Sequence, residues 1–235
     1  MKNEMTKPQA HTGSYYAATV NHVTDFAPLR GAKEADVCVV GAGFTGISTA
    51  LHLAERGYKV HVVEANKVGW GASGRNGGQM IGGIAGENNI AKHHGRDVEE
   101  LFGELRWAGH EIIRERVEKY GIECDLKSGY LDVAIKQRHL RDFEADFERL
   151  EKAGFPHEVR LLSRQETIET IGTDAYVGAL LNMGNGHVHP LNLCIGEAIA
   201  AVSLGATIYE QSPVINIERG AKPRVVTEQG SITAD

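Results

Sequence analysis

The pattern of apolar and polar positions at the start of the chain predicts three elements in succession. Residues 37–40 form a continuous run of valine and cysteine, which is typical of a strand buried on both faces of a parallel sheet. Apolar residues then recur at helical spacing over residues 45–56, and Gly57 follows as a C-terminal stop. A second strand is expected at residues 59–64. These elements predict a β-α-β unit.

Later segments predict a less regular arrangement. We expect a helix at 98–120, two strands of a hairpin at 122–126 and 130–135 joined across Ser128 and Gly129, and a charged helix at 136–153. Ser163 and Glu166 match a capping box that opens a short helix. A strand at 175–182, a turn at 184–190, a helix at 191–204 and strands at 207–210, 214–218 and 224–228 complete the prediction.

This order of elements predicts an α/β fold in which a Rossmann-like domain is interrupted by an α+β substrate domain. We expect residues 1–35 to form an N-terminal arm and residues 116–186 to contribute to the substrate domain. The Rossmann-like domain would be discontinuous and would comprise residues 36–115 and 187–235.

Composition and charge narrow the classes of partner. The formal net charge of -6 argues against a nucleic-acid partner or an anionic membrane surface, because both require a basic face. No run of about 18 apolar residues occurs, so we expect no stable membrane insertion and a cytoplasmic location. Cys38, Cys124 and Cys194 lie far apart and are expected to be reduced thiols. Two histidine pairs, at 93–94 and at 187 and 189, lack further ligands at metal-binding spacing, so no metal site is expected.

A glycine motif directly after the first predicted strand carries the candidate chemistry. Gly41, Gly43 and Gly46 have the spacing of a dinucleotide-binding fingerprint, in which the glycines permit a tight turn, close approach of a pyrophosphate, and close packing of helix on strand. Glu64 ends the second strand, where a carboxylate accepts hydrogen bonds from a ribose diol and would repel the 2'-phosphate of NADP.

The segment after Glu64 distinguishes FAD from NAD. Residues 68–86 contain eight glycines, and a density of this kind indicates close approach to the backbone or unusual dihedral angles. Ser73, Arg75 and Asn76 can hydrogen-bond phosphate and ribitol groups, and Gly77 and Gly78 let the main chain pass close to a flat ring. The alternative is a flexible glycine-rich loop. We expect the loop to hold the second part of FAD.

The run from Val37 to Glu64, together with the string GWGASGRNGGQ at 69–79, resembles the D-amino acid oxidase superfamily, and within it the gamma-glutamylputrescine oxidases. The resemblance implies that FAD is the cofactor and that the backbone of Val214 meets its adenine. It implies FAD-binding roles for the residues of the fingerprint, of the end of the second strand and of the glycine-rich loop, namely Gly41, Gly43, Phe44, Thr45, Gly46, Glu64, Ala65, Gly71, Ala72, Ser73, Arg75, Asn76, Gly77, Gly78 and Gln79.

The reaction that this resemblance implies is oxidation of a C–N bond in a small amine or amino acid. Hydride passes to the flavin, the imine is hydrolysed, and oxygen or another electron acceptor reoxidises the cofactor. Oxidation of glycine, sarcosine or proline is the alternative within the same family. Family members are much longer than 235 residues, so we expect an N-terminal fragment whose two domains are both incomplete. A truncated, non-catalytic chain with weak or no FAD binding is the alternative of another class.

Overall fold

A computed structural model describes residues 9–83 and 87–235; Gly86 of the glycine-rich segment and the first eight residues of the predicted arm lie outside this range. Helices α1 to α7 span Tyr15–Ala18, Phe44–Glu55, Glu87–His94, Arg96–Tyr120, Gln137–Lys152, Arg164–Ile171 and Pro190–Ser203. Strands β1 to β11 span Gly31–Ala35, Val37–Val40, Val60–Val63, Gln79–Met80, Lys127–Ala134, Val159–Leu162, Gly178–His187, Thr207–Tyr209, Val214–Glu218, Arg224–Thr227 and Gly230–Ala234.

The chain forms two compact units. Of the described residues, the first unit comprises 9–78, 116–124 and 189–235, and the second comprises 79–83, 87–115 and 125–188. These boundaries differ from the predicted domains: the described residues between 79 and 115 belong to the second unit, and the end of α4 belongs to the first. Residues 31–35, which were predicted to be part of the arm, form β1.

A parallel sheet of order β2-β3-β8 lies at the centre of the first unit. One face carries Val60, Val62 and Ile208, which pack with the buried face of α2 and with α7 in the main core. Ten of the fourteen residues of α7 are buried, which agrees with its largely apolar sequence. The predicted β-α-β unit is therefore confirmed. Val40 at the edge of the sheet is 51% exposed, so the prediction of a first strand buried on both faces was wrong.

A second sheet of the first unit has the order β1-β11-β10-β9. Strand β1 pairs with β11 in parallel, and the other two pairs are antiparallel. Ala35 and Ile232 from this sheet form a small core with Leu29 and with Val63 of β3. The parallel sheet is thus covered by helices on one face and by apolar residues of the second sheet on the other.

Strand β7 is the centre of the second unit and pairs antiparallel with β5, β6 and β4. Helices α5 and α6 begin close to the predicted positions. The predicted capping box at the start of α6 is confirmed: the Ser163 side chain accepts from the backbone N–H of Glu166, and the Glu166 side chain accepts from the backbone N–H of Ser163. No helix in the described ranges is both long and apolar enough to cross a membrane.

The predicted hairpin was wrong. Residues 122–126 form no strand, because Asp125 has a left-handed backbone (φ 52°) and Ile122 and Cys124 make turn hydrogen bonds at the end of α4. Strand β5 instead pairs with β7, which lies about fifty residues further along, as in the pair Tyr130 and Asn182. Gly129, which was expected at the hairpin turn, lies in an irregularity within β5 and has a φ of 107°.

The turn predicted at 184–190 was also wrong over its first half, because β7 continues to His187. A Cβ on Gly184 would collide with the Phe155 ring, and one on Gly186 would collide with the backbone of Lys127. Glycine within a strand here permits close approach of a neighbour and does not end the strand. Strands β1, β4, β6 and β11 were not predicted.

Candidate functional site

The turn between β2 and α2 places the first part of the glycine motif. Gly41 has a φ of 99°, a conformation that residues with a side chain rarely adopt, and its N–H donates to the Val63 carbonyl. The carbonyl of Ala42 accepts from the N–H of Gly69 at 2.9 Å, which joins this turn to the glycine-rich loop. The loop therefore lies against the start of α2.

Helix α2 is capped by a side chain that is distant in sequence. Gly43 occupies the N-cap position and has no side chain to accept a hydrogen bond. The Ser73 hydroxyl accepts from the N–H of Phe44 at 2.9 Å instead, from a position 29 residues further along. A Cβ on Gly43 would lie 2.9 Å from that hydroxyl, so glycine at this position makes room for Ser73.

Gly46 lies where the first turn of α2 crosses the end of β2. A Cβ there would overlap the carbonyl of Gly41 and press on the Val39 side chain. This agrees with the sequence argument that the third glycine permits close packing of helix on strand.

The start of α2 leaves two backbone donors open to a ligand. Among the described residues, no acceptor bonds the N–H groups of Thr45 and Gly46, because the first regular bond of the helix runs from Ile47 to Gly43. Thr45 is exposed and Gly46 is half-buried. These donors, together with the partial positive charge of the helix end, suit a pyrophosphate, and the absent side chain at Gly41 leaves open space beside the turn.

The half-buried Glu64 carboxylate is held rigidly at the end of β3. Its Oε2 accepts from the N–H of Ala42 at 2.7 Å and its Oε1 accepts from the N–H of Asn66 at 2.8 Å. Each carboxylate oxygen has more than one acceptor site, so both keep capacity for the hydroxyls of a ribose. The fixed carboxylate and the open helix donors together fit the adenosine end of FAD.

Arg75 and Asn76 make contacts within the loop itself. The Arg75 guanidinium lies over the Trp70 ring at 4.3 Å, and its Nε donates to the Trp70 carbonyl. The Asn76 amide donates to the carbonyls of Ala72 and Ser73 and accepts from the N–H of Gly78. Residues 70–78 of the loop are therefore joined by internal contacts.

The other residues predicted to bind FAD lie in several segments of the chain. Ala65 lies between Glu64 and Asn66, and Gly71 and Ala72 precede Ser73. Val214 follows Ser212, whose N–H donates to the Glu64 carbonyl, and begins β9. Gln79 belongs to the second unit, where it pairs with His187. The binding roles given to all these residues stay predictions.

A buried ion pair beside the site was missed from sequence. The Lys67 ammonium donates to the Glu210 carboxylate at 2.9 Å, and that fully buried carboxylate also accepts from the N–H of Val68 and from the Thr24 hydroxyl. Burial lowers the pKa of Lys67, but the hydrogen bonds and negative charges of Glu210 and Asp25 together outweigh it and leave the pKa raised. A lysine with a glutamate 143 residues away gives no local pattern, so no sequence signal pointed to this pair.

Comparison with known proteins assigns the chain to a family. The chain is 43% identical to gamma-glutamylputrescine oxidoreductase of Escherichia coli strain K12 over 95% of its own length and 53% of that protein. Among solved structures it is similar to L-amino acid deaminase of Proteus myxofaciens (TM-score 0.74, 26% identity, 91% of this chain and 46% of that one). It is also similar to glycine oxidase of Geobacillus kaustophilus (TM-score 0.66, 25% identity, 86% and 54%).

The chain spans about half the length of the curated relatives it matches. The family model described as FAD dependent oxidoreductase matches residues 36–235, which include the glycine motif, Glu64 and the loop that caps α2. The chain therefore belongs to the DAO family of FAD-dependent oxidoreductases.

Proposed function

We propose that this chain binds FAD through the start of α2 and the Glu64 carboxylate, and serves the oxidation of a C–N bond in an amine of the gamma-glutamylputrescine type. The observation that supports the cofactor site is the combination of open N–H groups at Thr45 and Gly46 with a carboxylate fixed by two backbone donors. The substrate class is supported by the 43% identity to gamma-glutamylputrescine oxidoreductase.

Each group of the proposed site has a distinct part. The N–H groups of Thr45 and Gly46 hold the pyrophosphate, and Glu64 accepts from the ribose. Ser73 fixes the start of α2 and keeps its hydroxyl proton for a phosphate oxygen. Bound FAD supplies the two-electron oxidation of the substrate, and the protein supplies binding, orientation and exclusion of competing reactions.

Replacing Glu64 with glutamine is expected to weaken FAD binding by about 10-fold or more, because hydrogen bonds to a charged group are worth roughly 1.5–3 kcal/mol. The glutamine amide has one acceptor oxygen, so its NH2 group would face the N–H of either Ala42 or Asn66. The measurement is a fluorescence titration of the purified chain with FAD. The exposed Glu34 on β1 offers a matched control as Glu34→Gln, for which we expect no change. Equal FAD affinity of Glu64→Gln and the unaltered chain would contradict the ribose assignment.

The substrate proposal is tested by anaerobic reduction of the FAD-loaded chain. We expect gamma-glutamylputrescine to bleach the flavin absorption about 10-fold faster or more than glycine, sarcosine or proline, because a site with polar groups matched to one substrate discriminates against analogues that lack the partners. Faster bleaching by glycine, sarcosine or proline would favour the alternative within the family. FAD that survives gel filtration but is reduced by none of these compounds would favour a non-catalytic chain.

A further inference from the structure

Part of the N-terminal arm is fixed to the same loop that carries the candidate adenosine site. The N–H of Gln9 donates to the Asn66 side-chain oxygen at 2.8 Å, and the Trp70 indole N–H donates to the Ala10 carbonyl at 2.9 Å. The two anchors lie on either side of the turn that follows Glu64. Residues 9–11, which we call the strap, are therefore held against this turn by two hydrogen bonds, one at Gln9 and one at Ala10.

Both anchors of the strap also contact residues proposed to bind FAD. Asn66 donates its backbone N–H to the Glu64 carboxylate, so one residue links the strap to the group proposed to hold the ribose. Trp70 supports the Arg75 guanidinium on its ring face while its indole edge holds the strap. A movement of the strap at Asn66 would thus act on Glu64, and a movement at Trp70 would act on Arg75.

His11, the last residue of the strap, lies among the charged groups of this region. It is half-buried, and burial lowers its pKa, while the nearby charges of Glu210, Arg75, Lys67 and Glu64 act on it in both directions. By its two hydrogen bonds the strap lies against the loop that carries Glu64 and Arg75, whereas α1, which follows it, contacts α7.

We propose that the strap closes the adenosine end of the FAD site and must detach from Asn66 and Trp70 before FAD enters or leaves. This inference rests on the proposed function. It assigns to the arm a role in cofactor exchange, with the anchors at Asn66 and Trp70 setting how often the site opens.

Two independent variants test the strap by releasing one anchor each. Trp70→Phe removes the indole donor but keeps an aromatic ring beneath Arg75, and Asn66→Ala removes the side-chain acceptor for Gln9. Losing one hydrogen bond of this kind is expected to raise both the association and the dissociation rate of FAD by about 2- to 10-fold. The rates are measured by stopped-flow flavin fluorescence on mixing with FAD and on dilution of the loaded chain.

Thr19→Val is the matched control, because it removes a hydrogen bond of the arm to His189 that lies away from the strap. We expect its FAD exchange rates to equal those of the unaltered chain. Exchange rates of Trp70→Phe and Asn66→Ala that equal those of Thr19→Val, while FAD is retained, would overturn the strap alone. An unaltered chain that retains no FAD after gel filtration would overturn both the proposed function and the strap.

Discussion

Alanine in place of Gly46 is expected to destabilise the first unit by at least about 3 kcal/mol and to abolish FAD retention. Overpacking a tight interior typically costs about 1–3 kcal/mol, and here the added methyl would overlap a backbone carbonyl, which cannot rotate away as a side chain does. Helix α2 would have to move off β2, carrying the open N–H groups of Thr45 and Gly46 with it. Urea unfolding followed by circular dichroism measures the free energy, and gel filtration with FAD measures retention.

Gly109→Ala provides the control for this substitution. Gly109 lies exposed in α4 with open space around the position of a Cβ, so alanine there is expected to stabilise the helix by about 0.5–1 kcal/mol. A Gly46→Ala variant with the stability of the unaltered chain would contradict the close approach of α2 to the turn at Gly41.

Methionine in place of Arg116 is expected to cost about 3–5 kcal/mol of stability, because it leaves a buried carboxylate without its partner. Arg116 is 4% exposed and donates to Glu197 at 2.6 Å and to the Ser48 hydroxyl at 2.9 Å, and Glu197 is 2% exposed. The double variant Arg116→Met with Glu197→Met is expected to lose less than the single variant, since no unpaired charge remains. Urea unfolding of both variants measures the difference.

The cost of Arg116→Met is also expected to depend on pH. Burial raises the pKa of Glu197 in the folded chain, opposed by the Arg116 guanidinium, so removing Arg116 raises this pKa further. A raised folded-state pKa gives no penalty below the unfolded pKa of about 4.3, and the penalty grows as pH rises through the folded-state pKa. We therefore expect the deficit of the variant to shrink on acidification from neutral pH.

The exposed pair Arg149 and Asp146 supplies the comparison. Arg149 is 54% exposed, and Arg149→Met is expected to cost less than about 1 kcal/mol at every pH. An equal loss from Arg116→Met would contradict the view that burial makes the Arg116 pair critical.

Local patterns predicted those parts of the fold that are determined by residues close to one another in sequence. The β-α-β unit follows from an apolar run, a helical period and a stop at Gly57, and the capping box of α6 joins residues three positions apart. The prediction of a hairpin was wrong because the partner of β5 lies far along the chain. The sequence of residues 127–134 does not indicate that β7 is this partner. Gly129 and Gly184 misled for the same reason, since a glycine marks a turn and a close contact alike.

Some residues of the candidate site could likewise be predicted from their spacing in sequence, and others could not. Gly41, Gly43, Gly46 and Glu64 have a recognisable spacing, and the structure joins Glu64 to the glycine turn through Ala42. The anchors at Asn66 and Trp70 were not predicted as such, because a single polar contact between distant segments leaves no periodic trace. The hydrogen bonds of Asn76 within the loop likewise could not be predicted, because they depend on the backbone conformation of the loop.

The cap that Ser73 gives to Phe44 has a consequence for recognising such helices in sequence. A helix that carries its own serine or aspartate at the N-cap uses the space in front of its first turn for that side chain. Here the capping hydroxyl comes from Ser73 in a later loop, and Gly43 leaves room for it. A glycine at the N-cap therefore does not mean that the helix is uncapped, because a residue distant in sequence supplies the acceptor here.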